Sequence, residues 1–113
     1  MDDELLPDFL VEEGEILEQL NEQLVELENS PDDSELLNAV FRGFHTIKGG
    51  AGFLAIEVMV AICHRTEDIF NMLRNDELKI DNHLMDTVLP VLDVLNDQFD
   101  ALRSGEEPQG AEL

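Results

Sequence analysis

The chain has 113 residues, enough for a single domain. It carries 27 Asp and Glu against six Lys and Arg, a formal charge of −21, which disfavours binding to nucleic acid or to an anionic membrane surface. Leu, Ile, Val and Phe supply 38 of the residues, and this apolar content is sufficient for a folded core despite the charge. We therefore expect one folded domain with a strongly acidic surface.

The cellular compartment can be predicted from the single cysteine and from the first residues of the chain. Cys63 has no partner for a disulfide and lies in an apolar run, so a buried, inert thiol is expected. That run, residues 49–63, is interrupted by Glu57 and is too short to span a bilayer. Met1 is followed by acidic residues rather than by the basic start of a signal peptide. The sequence thus predicts a cytoplasmic protein without membrane insertion.

Apolar residues recur at helical spacing in the first half of the chain. The first predicted helix runs from about Asp8 to Glu28. The second follows a break that contains Pro31, has Ser30 as its N-cap, and ends near Leu54. The predicted core positions of these helices are Phe9, Ile16, Leu20, Leu24 and Leu27, then Leu37, Val40, Phe41, Phe44, Ile47, Ala51 and Leu54.

The second half of the chain is also predicted to be helical. A third helix is predicted from about Ile56 to Arg74, and Asp81 caps a fourth helix that ends before Gly105. Four helices with short connections predict an all-α, antiparallel, up-down-up-down four-helix bundle over residues 1–104, with residues 105–113 as a flexible tail or the start of a linker. The predicted core positions are Met59, Ile62, Ile69 and Leu73, then Leu84, Val88, Val91, Leu92, Leu95, Phe99 and Leu102.

The most informative segment lies inside the second predicted helix. Three of the four residues from Gly49 to Gly52 are glycine, and each costs about 1 kcal/mol relative to alanine in a helix interior. His45 precedes Lys48 by three residues and Gly49 by four, and Gly52 follows these two by four and three. These spacings place all four residues on one helical face, beside the row of predicted core residues. We expect His45 to reach solvent over a docking surface at Gly49 and Gly52 that lacks side chains.

This pattern has two interpretations. A neutral imidazole can attack a phosphoryl group if its second nitrogen is held as N–H by an acceptor, and Lys48 would then offset the charge of the phosphoryl oxygens. Alternatively, His45 is an ordinary surface histidine beside glycines that let two helices pack closely. The residues alone leave both interpretations open.

His64 and Glu67 form a second pair, three residues apart on the third predicted helix. An antiparallel neighbour would bring this face beside His45, with Glu67 as the acceptor that orients the imidazole. A solvated surface pair is the competing interpretation.

At these residues the sequence resembles a known family. The run His45-Thr46-Ile47-Lys48-Gly49-Gly50-Ala51-Gly52 and the later His64-Arg65-Thr66-Glu67 resemble the histidine phosphotransfer (HPt) domain at the N-terminus of the chemotaxis kinase CheA. The segment Glu35-Leu36-Leu37-Asn38-Ala39-Val40-Phe41-Arg42 is also similar, and the likeness extends from about residue 5 to 104. The family often has five helices, so a fifth is missing here or lies beyond the chain. It also tends to place a glycine where this chain has Ala55.

The resemblance implies a role for each matching residue. His45 would accept the phosphoryl group, Glu67 would hold its other ring nitrogen, and Lys48 and His64 would line the site. The donor would be an ATP-binding kinase domain, usually of the partner subunit in a dimer, and the acceptor an aspartate of a CheY- or CheB-type response regulator. No cofactor is expected in this chain, because ATP and Mg²⁺ would come with the partner domains. The chain would be the phosphotransfer part of an ATP-dependent histidine kinase, without its own nucleotide site.

Two other classes of protein are alternatives to a phosphotransfer domain. A di-iron bundle requires Glu-x-x-His on two helices, and none of the three histidines has an acidic residue three positions before it. An acidic helical bundle that only docks partners remains the alternative, although it would not need a histidine beside open glycines.

Overall fold

The computed structural model describes residues 5–110, which form four α-helices and no β-strand. The helices are α1 (Leu5–Asn29), α2 (Ser34–Phe53), α3 (Glu57–Arg74) and α4 (Asn82–Arg103). No fifth helix occurs in the described range, and residues 1–4 and 111–113 lie outside it. None of the four helices is long and apolar enough to cross a membrane.

The helices form the four-helix bundle expected from the sequence. Short connections at residues 30–33, 54–56 and 75–81 join consecutive helices, which lie side by side and therefore run antiparallel. α1 also contacts α4, which closes the bundle, whereas diagonal pairs make no close backbone contact within residues 5–110. The most extensive contact joins α2 and α3, the two helices that carry the candidate site.

Aspartate side chains set the starts of α2 and α4. Asp33 accepts a hydrogen bond from the Leu36 N–H at 3.1 Å, and Asp81 accepts one from the Leu84 N–H at 2.7 Å. The predicted cap at Asp81 is confirmed, whereas the predicted cap at Ser30 is wrong. The Asp33 N–H bonds to the Ser30 carbonyl at 3.2 Å, and this backbone turn delays the start of α2 by three residues.

α1 begins at Leu5, three residues before the predicted start at Asp8, and includes Pro7. A proline in the first turn of a helix costs little, because the N–H that it lacks would have no intrahelical partner there. The predicted start was therefore placed too late.

The core lies along the inward faces of the four helices and includes most of the predicted positions. In three helices the prediction is wrong by one residue, a rotation of about 100° around the helix axis. The buried residues there are Leu17, Phe70 and Met85, whereas Ile16, Ile69 and Leu84 are only half-buried, as is Phe41.

The turn from α2 to α3 requires a left-handed residue. Ala55 has φ of 59°, and the following Ile56 N–H bonds back to the Ala51 carbonyl at 2.9 Å. A side chain disfavours this conformation by about 1–2 kcal/mol. This cost explains why the family that the sequence resembles tends to have glycine at this position. Gly105 adopts the same conformation, with φ of 72°, and ends α4 as predicted.

The residues after α4 turn back onto the bundle. The Glu106 N–H bonds to the Ala101 carbonyl at 2.8 Å, and Gln98 Nε2 donates to the Gln109 carbonyl at 3.0 Å. Gly110 lies against Val58 of α3. This part of the predicted tail thus contacts α3 and α4.

Candidate functional site

His45 lies in the middle of α2, at the edge of the contact with α3. Its neighbours Phe44 and Ile47 are fully buried, whereas 62% of the His45 side chain is exposed. Successive residues are about 100° apart around a helix, so a residue beside the core stripe reaches the surface while its backbone stays fixed. The structure therefore gives this histidine both an exposed ring and a rigid support.

Glu67 of α3 holds the His45 ring. Its Oε1 lies 2.8 Å from His45 Nδ1, and only 12% of the Glu67 side chain is exposed. A carboxylate can only accept, so the proton sits on Nδ1 and Nδ1–H donates. His45 Nε2 has no hydrogen-bond partner within residues 5–110. In the neutral ring, Nε2 then carries the available lone pair.

Lys48 holds the other oxygen of the same carboxylate. Its Nζ lies 2.6 Å from Glu67 Oε2, which makes the two side chains an ion pair. Burial raises the pKa of Glu67, but the contacts with Lys48 and His45, together with their positive charges, lower it by more. The net pKa is below the ordinary value, so Glu67 is ionised at neutral pH. In this structure the Lys48 charge is directed at Glu67.

His64 is not joined to this group. Its Nε2 lies 3.6 Å from Asp68 Oδ2, and no hydrogen bond links it to His45 in the described part of the chain. Of the predicted pair on α3, only Glu67 contacts His45. Cys63 is buried, and burial together with the nearby Glu67 charge raises the pKa of its thiol to about 12. The inert thiol expected from the sequence agrees with this environment.

Gly49 and Gly52 leave the surface beside His45 open. A Cβ built at Gly49 would meet no atom within 4 Å, and one at Gly52 would have only Val60 at 3.9 Å. Side-chain packing within the described chain therefore does not require glycine at either position. We call these two residues the open glycine surface.

The two other glycines of α2 have a different role. A Cβ at Gly43 would lie 2.7 Å from a Leu20 methyl carbon, and one at Gly50 would lie 2.9 Å from the Phe9 ring. Both partners belong to α1, so these glycines allow α1 and α2 to pack closely. Close packing of two helices, the second interpretation of the glycines, thus applies to Gly43 and Gly50 but not to Gly49 and Gly52.

Two residues that the sequence did not assign to the site extend it: Phe41 lies beside His45, and Arg74 lies on Phe41. The Phe41 ring is nearly parallel to the imidazole, with centroids 6.2 Å apart and planes at 12°. The Arg74 guanidinium lies 3.9 Å from the centroid of the Phe41 ring. The spacing of four residues between Phe41 and His45 was a usable signal, whereas nothing in the sequence pointed to Arg74.

The assembled group is suited to nucleophilic chemistry on the histidine. An exposed imidazole is held by a carboxylate at Nδ1, which supports the positive charge that develops when Nε2 attacks an electrophile. Within residues 5–110 no three His, Cys, Asp or Glu side chains are grouped to hold a metal ion. The site combines a positioned imidazole with open space beside it.

Comparison with known proteins identifies the class. The Hpt domain family model matches residues 4–105, and the chain belongs to this family of histidine phosphotransfer domains. Its relatives and structural neighbours specify the type, which is the phosphotransfer domain of the chemotaxis kinase CheA. The chain is 45% identical over 97 residues to the sensor histidine kinase CheAY of Helicobacter pylori, with 84% of this chain covered.

Solved structures agree with this assignment. The CheA phosphotransferase domain from Thermotoga maritima matches with a TM-score of 0.83 and 38% identity, over 90% of this chain and 97% of that one. A solution structure of the histidine phosphotransfer domain of CheA matches with a TM-score of 0.87 and 37% identity, over 99% and 85% of the two chains. The chain spans 12% of the length of the Helicobacter relative and 15% of that of CheA from Salmonella typhimurium.

Proposed function

We propose that His45 accepts a phosphoryl group on Nε2 and passes it to an aspartate of a response regulator. The observation that carries this proposal is the 2.8 Å contact between His45 Nδ1 and Glu67 Oε1, which leaves Nε2 as the nucleophilic nitrogen. The membership in the Hpt family supports the same residue as the phosphoryl carrier. Glu67 and Lys48 position the ring, and His64 lies at the edge of the site.

The transfer takes place in two balanced steps. The Nε2 lone pair attacks the γ-phosphorus of ATP, the bond from phosphorus to the bridging oxygen breaks, and ADP leaves with those electrons. Nδ1–H remains bonded to Glu67, whose negative charge stabilises the imidazolium that develops. In the second step a carboxylate oxygen of an aspartate attacks phosphorus, and the electrons of the N–P bond return to Nε2.

We infer the partners from the relatives. Sensor histidine kinase CheAY and the CheA proteins are the matched full-length chains, so the donor is the ATP-binding domain of such a kinase, acting across a dimer. The acceptor is a receiver domain of the CheY or CheB type. In this proposal ATP and Mg²⁺ bind to the partner domains, and the reaction takes place in the cytoplasm. The transfer domain in this proposal is residues 1–104, as expected from the sequence.

The acidic surface restricts the sites at which partners dock. With a formal charge of −21, the chain repels acidic surfaces and favours neutral or basic ones. The open glycine surface next to His45 lets a partner's backbone come close to the phosphoryl group. We therefore place the docking surface for both partners on the α2 face that carries Gly49 and Gly52.

Labelling with radioactive ATP tests the proposal. The intact chain is incubated with the kinase domain encoded in the same genome and γ-labelled ATP, and we expect an acid-labile, base-stable label. His45→Gln should abolish the label, whereas His64→Gln and His83→Gln, which change the other two histidines, should retain it. Label that persists in His45→Gln, or a wild-type chain that takes up none, would refute the proposal.

A further inference from the structure

A three-membered stack extends from His45 towards the end of α3. Phe41 precedes His45 by one turn of α2, and the two ring planes differ by only 12° at a centroid separation of 6.2 Å. This lies within the range of offset-stacked aromatic pairs. The Arg74 guanidinium lies 3.9 Å from the Phe41 centroid, well inside the limit for a cation–π contact.

Both helices hold the outer member of the stack. Arg74 Nε donates to Asn71 Oδ1 at 3.0 Å on α3, and Arg74 Nη1 donates to Asn38 Oδ1 at 3.4 Å on α2. An arginine side chain on the surface is ordinarily free to move, but these two amides restrict the orientation of this guanidinium. The guanidinium therefore acts as a fixed support for the Phe41 ring, which is half-buried.

The hydrogen bond to Glu67 does not by itself fix the imidazole. A single contact at Nδ1 fixes one atom, and a ring that is 62% exposed can still tilt about that point. The direction of the Nε2 lone pair would then vary, although attack on phosphorus requires it to align with the bond that breaks. The Phe41 ring lies parallel to the imidazole on α2, whereas Glu67 reaches it from α3, so the two neighbours of the ring belong to different helices.

We propose that Phe41 is a positioning residue for phosphoryl transfer, which holds the plane of the His45 ring, and that Arg74 acts through Phe41 to support it. This inference rests on the proposed function of His45. It predicts that a flat ring at position 41 matters for the rate of the chemical step and not for the binding of the kinase domain.

The kinetic test uses variants that separate ring shape from bulk. Phe41→Leu keeps an apolar side chain but loses the plane, and should lower kcat for phosphorylation of His45 about three- to tenfold with KM changed less than about twofold. Phe41→Tyr keeps the plane and should stay within about twofold of wild type. Arg74→Gln should lower kcat about two- to threefold in wild type but have no further effect on Phe41→Leu, as expected for residues that act in series.

Arg42→Gln is the matched control, because it removes the same charge from an exposed arginine that faces the groove between α1 and α2. It should leave kcat unchanged. If Arg42→Gln lowers kcat as much as Arg74→Gln, or if Phe41→Tyr is as slow as Phe41→Leu, the stack is not the cause and the proposal is overturned. A rise in KM with kcat unchanged would assign Phe41 to docking and would also overturn it.

A measurement without any partner tests the ring itself. Three-bond NMR couplings of the His45 side chain should report one rotamer in the wild type and in Phe41→Tyr, and averaged rotamers in Phe41→Leu. Unchanged couplings in Phe41→Leu would overturn the proposal. If His45 takes up no label in the wild type, the proposed function fails, while these couplings still decide whether Phe41 restrains the ring.

Discussion

Replacing Glu67 by Gln removes the negative charge from the His45 site and keeps the shape of the side chain. The amide oxygen can still accept from His45 Nδ1–H at the position of Oε1. Hydrogen bonds to charged groups contribute about 1.5–3 kcal/mol and neutral ones about 0.5–1.5 kcal/mol, so the developing imidazolium loses about 1–1.5 kcal/mol of support. Because 1.36 kcal/mol corresponds to tenfold in rate, we expect phosphorylation of Glu67→Gln to be about tenfold slower.

The stability of the fold should change less than the rate. Lys48 loses its partner, but 24% of its side chain is exposed and its ammonium can reach water. The substitution also removes the cost of burying a carboxylate, so we expect a loss of about 0.5–1 kcal/mol in the free energy of unfolding at pH 7. Single-turnover phosphorylation and urea unfolding measure the two quantities. Equal phosphorylation rates in Glu67→Gln and the wild type would refute the role of Glu67 in orienting and charging the ring.

Comparison of Glu67→Gln with the wild type also tests how the free energy of unfolding depends on pH. The folded chain holds the pKa of Glu67 below its ordinary value of 4.5, so its stabilising contribution is complete above about pH 4.5 and is lost as the pH falls through the folded pKa. The difference in the free energy of unfolding between the wild type and Glu67→Gln should therefore shrink as the pH falls below 4.5. A difference that stays constant down to pH 3 would contradict a lowered pKa.

The remaining predictions concern the glycines of α2 and the turn that follows it. Gly49→Ala should stabilise the fold by up to about 1 kcal/mol, because alanine is the better helix former and no atom opposes its Cβ. Gly50→Ala should be less stable than Gly49→Ala by about 1–3 kcal/mol, because its Cβ would press on the buried Phe9 ring; equal urea midpoints would argue against this packing. Gly52→Leu should remain folded by circular dichroism but transfer phosphate more slowly to a receiver domain, and unchanged transfer rates would count against the open glycine surface. Ala55→Gly should raise the melting temperature by about 2–5 °C, because it relieves the left-handed strain, whereas a lower melting temperature would exclude strain at this turn.

The part of the site that lies on α2 could be predicted from the sequence, because it depends on the spacing of residues along one helix. Residues three and four positions apart share a helical face, so the grouping of His45, Lys48, Gly49 and Gly52 follows from their spacing alone. The exposed position of His45 follows too, because its neighbours on the stripe are apolar. The close packing at Gly43 and Gly50 did not follow, because it depends on which glycines face α1.

Contacts between helices required the tertiary structure. Glu67 lies 22 residues after His45, and only the register and rotation of α3 against α2 decide whether it or His64 turns towards the imidazole. A shift of one residue turns a side chain by about 100°, which is the size of the error in the predicted core positions of three helices. Sequence spacing could therefore propose Glu67 as the acceptor for His45, but it could not exclude that the pair on α3 is a solvated surface pair.

The sequence by itself determined the class of fold, the four helices and the face that carries the histidine, because these depend on interactions within one or two turns. The tertiary structure alone decided that Lys48 pairs with Glu67 and that Arg74 supports Phe41 beside His45. Such contacts join residues that are distant in the chain, and they form only when the packed core fixes the relative rotation of α2 and α3.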